Sequence, residues 1–237
     1  MESTDIQACI FDVFGTVVDW RGSVVQQCRQ FGQAHGIAAD WEAFADGWRN
    51  KYRPYMDKVR HGALPWTNLD RLHRMALEAL LEEFEITGLA EEDKAEMNLF
   101  WHRLHPWSDS VPGLYRLKQR YIIAPMSNGN VRLMTDMGKF GGLPWDCILG
   151  AELARHYKPD PESYLTAAEL LMLRPDQVLM VAAHQPDLRS AQKAGLRAAF
   201  VPRPMEHGPH HRPDPTPDPA FDVVATSFVD LAGKLGV

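Results

Sequence analysis

Residues 9–16 read Cys9-Ile10-Phe11-Asp12-Val13-Phe14-Gly15-Thr16. An apolar run ends in a carboxylate and passes straight into a Gly-Thr turn. That order sets Asp12 at the carboxyl end of a buried strand, the edge at which open α/β sheets bind their ligands. An aspartate held there can act as a nucleophile and carry a covalent intermediate. Two positions on stands Phe14, which can neither give nor take a proton, so the nucleophile has no second acid beside it.

Further apolar runs of strand length follow at 121–126, 147–149, 178–183 and 198–201, with helical spacing between them at 131–137, 164–173 and 188–194. Strands alternating with helices of this length predict an α/β fold, a Rossmann-like parallel sheet with helices on both faces. The interval 17–112 differs. It carries no strand signal and reads as about four amphipathic helices. Phe44, Trp48, Tyr52, Tyr55 and Met56 recur there at helical spacing, as do Leu69, Leu72, Leu77, Leu80 and Leu81. Six of the seven tryptophans also fall in it. The expected organisation is a catalytic core from 1–16 and 113–237, with a helical cap domain, 17–112, inserted after the first strand as a lid over its end. Most of the aromatic stripe is expected to be cap core, with one or two rings free to wall an apolar pocket. Residues 202–220, rich in Pro and His, are expected to form a long surface loop.

The chain has 237 residues, 45% hydrophobic and 24% charged, which suffices for a sizeable core. Its formal net charge of −6 argues against nucleic acid or an anionic membrane as partner. A small anion is still compatible with local Arg and Lys residues. Cys9, Cys28 and Cys147 show no CxxC spacing and are expected to be unpaired thiols in a reducing compartment. The acidic, polar start does not read as a signal peptide. No apolar run approaches the ~20 residues of a membrane span, so a cytoplasmic location is expected. His207, His210 and His211 raise the question of a metal. Without carboxylate or thiol partners in a preorganised frame, none is expected there.

Three further segments end at the same edge of the expected sheet. Ser127-Asn128-Gly129-Asn130 follows the strand and opens a helix. Its hydroxyl, amide and N–H groups suit a carboxylate or a leaving anion, although Ser127 alone reads equally as a helix N-cap. Lys158 precedes Pro159, which stops a helix from running through it. Its ammonium then stands at a strand edge, unless it is an ordinary surface lysine. Ala182-Ala183-His184-Gln185-Pro186-Asp187 closes the next strand, and Asp187 either joins the site or caps the following helix. Each segment alone is weak, and the four in this order are not.

In that order the chain resembles the haloacid dehalogenase superfamily over nearly its whole length. Asp12 and Thr16 match the nucleophile segment and Ser127 the second-motif hydroxyl. Lys158 matches the third-motif lysine, and Asp187 an acidic position after the fourth strand. The helical insertion resembles the family's first-type cap. Most of the superfamily are phosphatases carrying Asp-x-Asp with Mg²⁺, because a poor alkoxide leaving group needs an acid to protonate it and the ion offsets repulsion between like charges. Phe14 cannot be that acid. A halide leaves unprotonated, and Asp-x-aromatic-Gly-Thr resembles the type II L-2-haloacid dehalogenase branch.

The resemblance implies hydrolytic dehalogenation of short-chain 2-haloalkanoic acids, in the L form, to 2-hydroxy acids. The route would be an aspartyl ester on Asp12, with no cofactor and no metal. Arg49, beside Asn50, would receive the halide together with Asn128; without the resemblance Arg49 reads as a solvent-facing helix charge. Ser127 and the backbone N–H groups near Val13 and Phe14 would hold the substrate carboxylate. Lys158 would keep Asp12 ionised, water would be activated near Asp187, and Tyr164 would lie over the Lys158 region. Trp66 is expected to supply an apolar pocket wall. Relatives are often dimers, and an aromatic-rich cap could supply a homodimer interface.

The chain departs from the pattern in one segment. Well-known members of the branch carry Ser-Ser-Asn-x-Trp-Asp there, whereas His184 stands here in place of the Asn and Pro186 in place of the aromatic wall. An imidazole with an ordinary pKa of ~6.5 suits a general base. It could instead hydrogen-bond Lys158 or Asp12, or be purely structural. Two rival functions stay open, a Mg²⁺-dependent phosphatase of the same fold and a catalytically silent binder of a small carboxylate or a protein. The joint presence of Asp12, Thr16, Ser127, Lys158 and Asp187 argues against silence.

Overall fold

The computed structural model describes residues 6–209 and 216–237, so His210 and His211 of the metal question lie outside the described residues. Strand β1 (Ala8–Phe11) is buried along its whole length, as an all-apolar strand covered on both faces must be. A two-residue strand β2 (Val18–Asp19) follows, and Asp19 caps α1 (Trp20–His35) by accepting from the Gly22 N–H. Asp40 and Asn68 cap α2 (Trp41–Arg60) and α3 (Leu69–Glu83) in the same way, satisfying N–H groups that the helix itself cannot. After α4 (Glu91–Asn98) and a 3-10 turn, β3 (His105–Pro106) pairs antiparallel with β2.

The remainder alternates. It runs through α5 (Ser110–Leu117), β4 (Ile122–Ser127), α6 (Val131–Gly141), β5 (Leu149–Gly150), α7 (Ala151–Ala154) and α8 (Pro161–Leu170). Then come β6 (Val178–Ala182), α9 (Gln185–Lys193), β7 (Arg197–Phe200), β8 (Val223–Val224) and α10 (Phe228–Lys234).

The main sheet is parallel in the order β5-β4-β1-β6-β7-β8. The chain moves outward from β1 first to one side and then to the other, which makes the carboxyl end of β1 the switch point where such sheets bind ligands. Phe11 pairs with Pro125 and with Val181, so Asp12, Ser127 and His184 leave the sheet along one edge. Side chains alternate as a strand requires. Cys9 and Phe11 pack with Leu114, Leu117 and Phe228, whereas Ile10 packs with Tyr164, Leu188 and Ala191. The segment between β2 and β3 packs on Phe14 through Tyr52, His73 and Trp101, with Phe44, Trp48, Leu72 and Leu80 in the same core.

The structure differs from the sequence reading in two respects. β2 and β3 fall inside the interval expected to lack strands, because two residues are too few to make an alternation visible. Among the described residues of 202–220 no helix or strand forms, but this stretch is not all surface: Arg203 is 8% exposed and Glu206 2%. The Arg203 guanidinium donates to the Thr16 carbonyl and to the Asp109 carboxylate. Those bonds hold the segment down on the turn that follows Asp12.

Candidate active site

Asp12 sits one residue beyond β1, its N–H bonded to the Val181 carbonyl at 3.0 Å. Its Oδ1 accepts from Lys158 Nζ at 2.8 Å, and its Oδ2 from Thr16 Oγ1 at 2.7 Å and His184 Nδ1 at 2.8 Å. Thr16 Oγ1 itself accepts from the Ala183 N–H at 2.9 Å, which aims its own proton at the carboxylate. Burial alone would raise the Asp12 pKa. The Lys158 ammonium and the His184 ring more than reverse this and hold the carboxyl well below the usual range. Lys158 is likewise pushed down by burial and, more strongly, up by Asp12 and Asp187. The result is an ionised, largely desolvated carboxylate, which is what a nucleophile requires.

His184 is where the structure adds most. Its Nε2 lies 3.0 and 2.9 Å from the two oxygens of Glu206. Glu206 also accepts from Trp20 Nε1 at 3.1 Å. Burial would lower the His184 pKa, but a carboxylate on each ring nitrogen pushes it up to about 10. At neutral pH the ring is therefore an imidazolium donating from both nitrogens. Of the roles open from sequence, the hydrogen bond to Asp12 is present; the resting ring is not yet a base. Glu206 was not among the sequence candidates. It lies 22 residues from His184 in a stretch without periodicity, and no local signal marks it.

Gly15 makes this arrangement fit. A Cβ there would stand 2.1 Å from Glu206 Oε1, and the backbone is left-handed at φ +85°. Gly15→Ala is expected to cost about 2 kcal/mol or more from strain and displacement together. Thermal denaturation measures this, and an unchanged Tm would show that Glu206 is not seated against Gly15.

A cavity of about 500 Å³ opens over Asp12. Phe14, Tyr52 and Met56 form its apolar side; Arg49, Asn50, Asn128, Lys158, His184 and Asp187 contribute polar groups. The Arg49 Cζ lies 4.2 Å from the Tyr52 ring centroid, 5.4 Å from Trp20 and 5.9 Å from Phe14. Its Nη1 is buried and has no hydrogen-bond partner among the described residues. An unpaired buried donor costs about 1–3 kcal/mol, and each cation–π contact returns roughly 0.5–2 kcal/mol. Three rings can thus hold a guanidinium that is committed to no carboxylate. Arg49 is not a solvent-facing helix charge, and its free N–H suits an incoming anion.

The other candidates divide. Asn128 lines the cavity, and its Oδ1 accepts from the Lys158 N–H at 2.8 Å, leaving the NH₂ end uncommitted to that bond. Ser127 is fully buried behind it, with Oγ accepting from the Gly129 N–H at 3.0 Å. Val13 is buried and is not in the cavity lining. Asp187 is taken up by Lys158 Nζ and the Tyr164 hydroxyl, each at 2.5 Å. Tyr164 therefore braces Asp187 and does not line the cavity. Trp66 packs on the Tyr157 ring at 4.9 Å and is also absent from the lining. The wall expected of it is made by Tyr52 and Met56 of the aromatic stripe.

The donor set does not suit the divalent cation of the phosphatase pattern. The second carboxylate is replaced by Phe14, and the Lys158 ammonium already bridges Asp12 and Asp187 at 2.8 and 2.5 Å.

The raised His184 pKa fixes the direction of a pH effect. Its ion pairs contribute stability in full below the unfolded value of ~6.5, and that contribution is lost as pH rises toward about 10. The Tm of the wild type is expected to fall over that window by more than that of His184→Gln. Parallel slopes would count against the paired imidazolium.

Comparison with known proteins agrees with this geometry. The haloacid dehalogenase-like hydrolase family matches residues 6–195. A solved defluorinating L-2-haloacid dehalogenase is 44% identical, with a TM-score of 0.95 and coverage of 98% of this chain and 96% of its own. A second solved L-2-haloacid dehalogenase is also 44% identical, with a TM-score of 0.94 over 97% and 98% of the two chains. (S)-2-haloacid dehalogenase 1 of Pseudomonas sp. (strain CBS-3) is 29% identical over 203 residues, 84% of this chain and 85% of that one. With an ionised carboxylate at the switch point, no second acid beside it and a family match over most of its length, the chain belongs to the haloacid dehalogenase-like hydrolases, in the branch of the L-2-haloacid dehalogenases.

Proposed function

We propose that the protein hydrolyses short 2-haloalkanoic acids to 2-hydroxy acids, with preference for the (S), or L, enantiomer. The observation that carries this reading is the facing of two groups across one cavity: the ionised Asp12 carboxylate and the aromatic-boxed Arg49 with its unpartnered Nη1. Residues 17–112 act as the cap that brings Arg49, Asn50, Tyr52 and Met56 over the end of β1.

Asp12 Oδ1 carries one side-chain donor against two on Oδ2, so it is the freer oxygen for in-line attack. The carbon–halogen electrons leave with the halide, which Arg49 and the Asn128 NH₂ receive. The substrate carboxylate rests against Asn128 and the N–H group of Phe14, the parts of the two turns that the cavity reaches. Ester formation removes the charge that held the proton on His184 Nδ1. That proton passes to solvent, leaving Nε2–H on Glu206 and a lone pair on Nδ1 beside the ester. Water gives a proton to Nδ1 and adds to the Asp12 Cγ. Collapse expels the alkoxide oxygen, which takes the remaining carboxyl proton. Asp12 returns as a carboxylate, His184 as an imidazolium, and the net products are hydroxy acid, halide and one proton.

Halide release from chloroacetate and from each enantiomer of 2-chloropropionate, in EDTA, tests this. Release with (S)-2-chloropropionate favoured is the expected result. No release, with a phosphate ester cleaved once Mg²⁺ is supplied, would overturn it. No helix among the described residues is long and apolar enough to cross a membrane. Action in the cytoplasm, without nucleic acid and as a homodimer, completes the reading; light scattering in solution tests the dimer.

A further inference from the structure

Trp20 touches two groups that the reaction uses at different times. Its indole N–H donates to Glu206 Oε1 at 3.1 Å, and its ring lies 5.4 Å from the Arg49 Cζ. The side chain is fixed from several directions. It follows the Asp19 cap at the start of α1 and stacks on Trp101 at 6.2 Å with the planes 20° apart. The His207 ring meets it edge-on at 5.9 Å. At 1% exposure it has no room to turn.

The two contacts ask for different chemistry. Any aromatic face can lie against a guanidinium, but only the indole supplies this N–H. A donor on Glu206 favours its ionised form, and an ionised Glu206 can only accept. Once Asp12 is esterified, that acceptor keeps the remaining His184 proton on Nε2 and leaves Nδ1 free. Were Glu206 to take up the proton or swing away, the proton could stay on Nδ1 and no base would face the ester.

On the reading of the reaction given above, we propose that Trp20 is a positioning residue that serves both half-reactions, holding Glu206 for ester hydrolysis through its N–H and Arg49 for halide departure through its ring.

Trp20→Phe separates the two. In rapid mixing with (S)-2-chloropropionate, the variant is expected to release about one halide per site at close to the wild-type rate, followed by a steady phase at least ~tenfold slower. The Asp12 peptide then carries the mass of the ester. Arg49→Lys is expected to give the reverse, slow halide release without accumulated ester. Equal slowing of both phases in Trp20→Phe, or no change in either, overturns the proposal.

A second readout needs no turnover. The indole N–H resonance that Trp20→Phe removes is expected to shift with the same midpoint as the His184 ring, and again on addition of chloride. A resonance indifferent to pH or to chloride overturns the coupling. A wild type that releases no halide while this resonance answers to both would retain the coupling and remove the proposed reaction.

Discussion

Replacing His184 by Gln is expected to leave an enzyme that turns over once. The first half-reaction needs the Asp12 carboxylate, the donors that hold it and the Arg49 guanidinium; of these the substitution touches only the His184 donor, leaving those of Lys158 and Thr16 in place. The second half-reaction needs a group that can take a proton from water beside the ester. A glutamine amide can donate to Glu206 or to Asp12, but it cannot take that proton. Loss of a positioned general base typically removes about 10²–10⁴ in rate. A burst of one halide per site followed by a steady rate lower by that factor is therefore expected, with an Asp12 peptide heavier by the carboxyalkyl fragment of the substrate. A steady rate near that of the wild type, without a burst, would put the base elsewhere, Asp187 being a carboxylate in the cavity lining that Lys158 links to Asp12.

Asp12→Asn is expected to abolish halide release, by a factor of about 10⁴ or more. An amide oxygen is a poor nucleophile, and the ester cannot form. The fold is expected to survive, because Lys158 keeps Asp187 and His184 keeps Glu206. The cavity meanwhile loses the Asp12 charge, and His184 loses its Nδ1 proton as it does on the ester, but Arg49 stays and Lys158 is left with one carboxylate instead of two. The variant is therefore expected to bind chloride and a 2-hydroxy acid more tightly than the wild type does, which calorimetry can measure. Release at more than about 1% of the wild-type rate would mean that Asp12 is not the nucleophile.

How much of this was legible depended on whether a residue's neighbours in sequence are also its neighbours in space. Asp12, Thr16 and Asp187 follow visible apolar runs and Lys158 precedes a proline stop, and a parallel sheet gathers such ends on one edge. Arg49 was legible only through resemblance; nothing local distinguishes it from the other charges of α2. Glu206 was not legible as the partner of His184, nor Trp20 as the partner of Glu206, since they stand 22 and 186 positions apart. Trp66 was expected as a pocket wall through resemblance alone; it stands in the connection between α2 and α3, on the Tyr157 ring. Tyr52 and Met56, from the helical stripe of α2, line the cavity. The short pair β2 and β3 escaped for lack of length.

The space beside Gly15 that Glu206 occupies also constrains how such a site could be built. Position 15 and position 206 share one volume, so they act as a single unit in any engineering path. Grafting the His–Glu pair onto a relative with a side chain at the equivalent of 15 would fail if the glutamate were introduced first, since the two groups would collide. Clearing the turn to glycine first opens a viable order of steps. A glutamate that is harmful alone would then be accepted only after the glycine, a case of sign epistasis dictated by a missing methyl group.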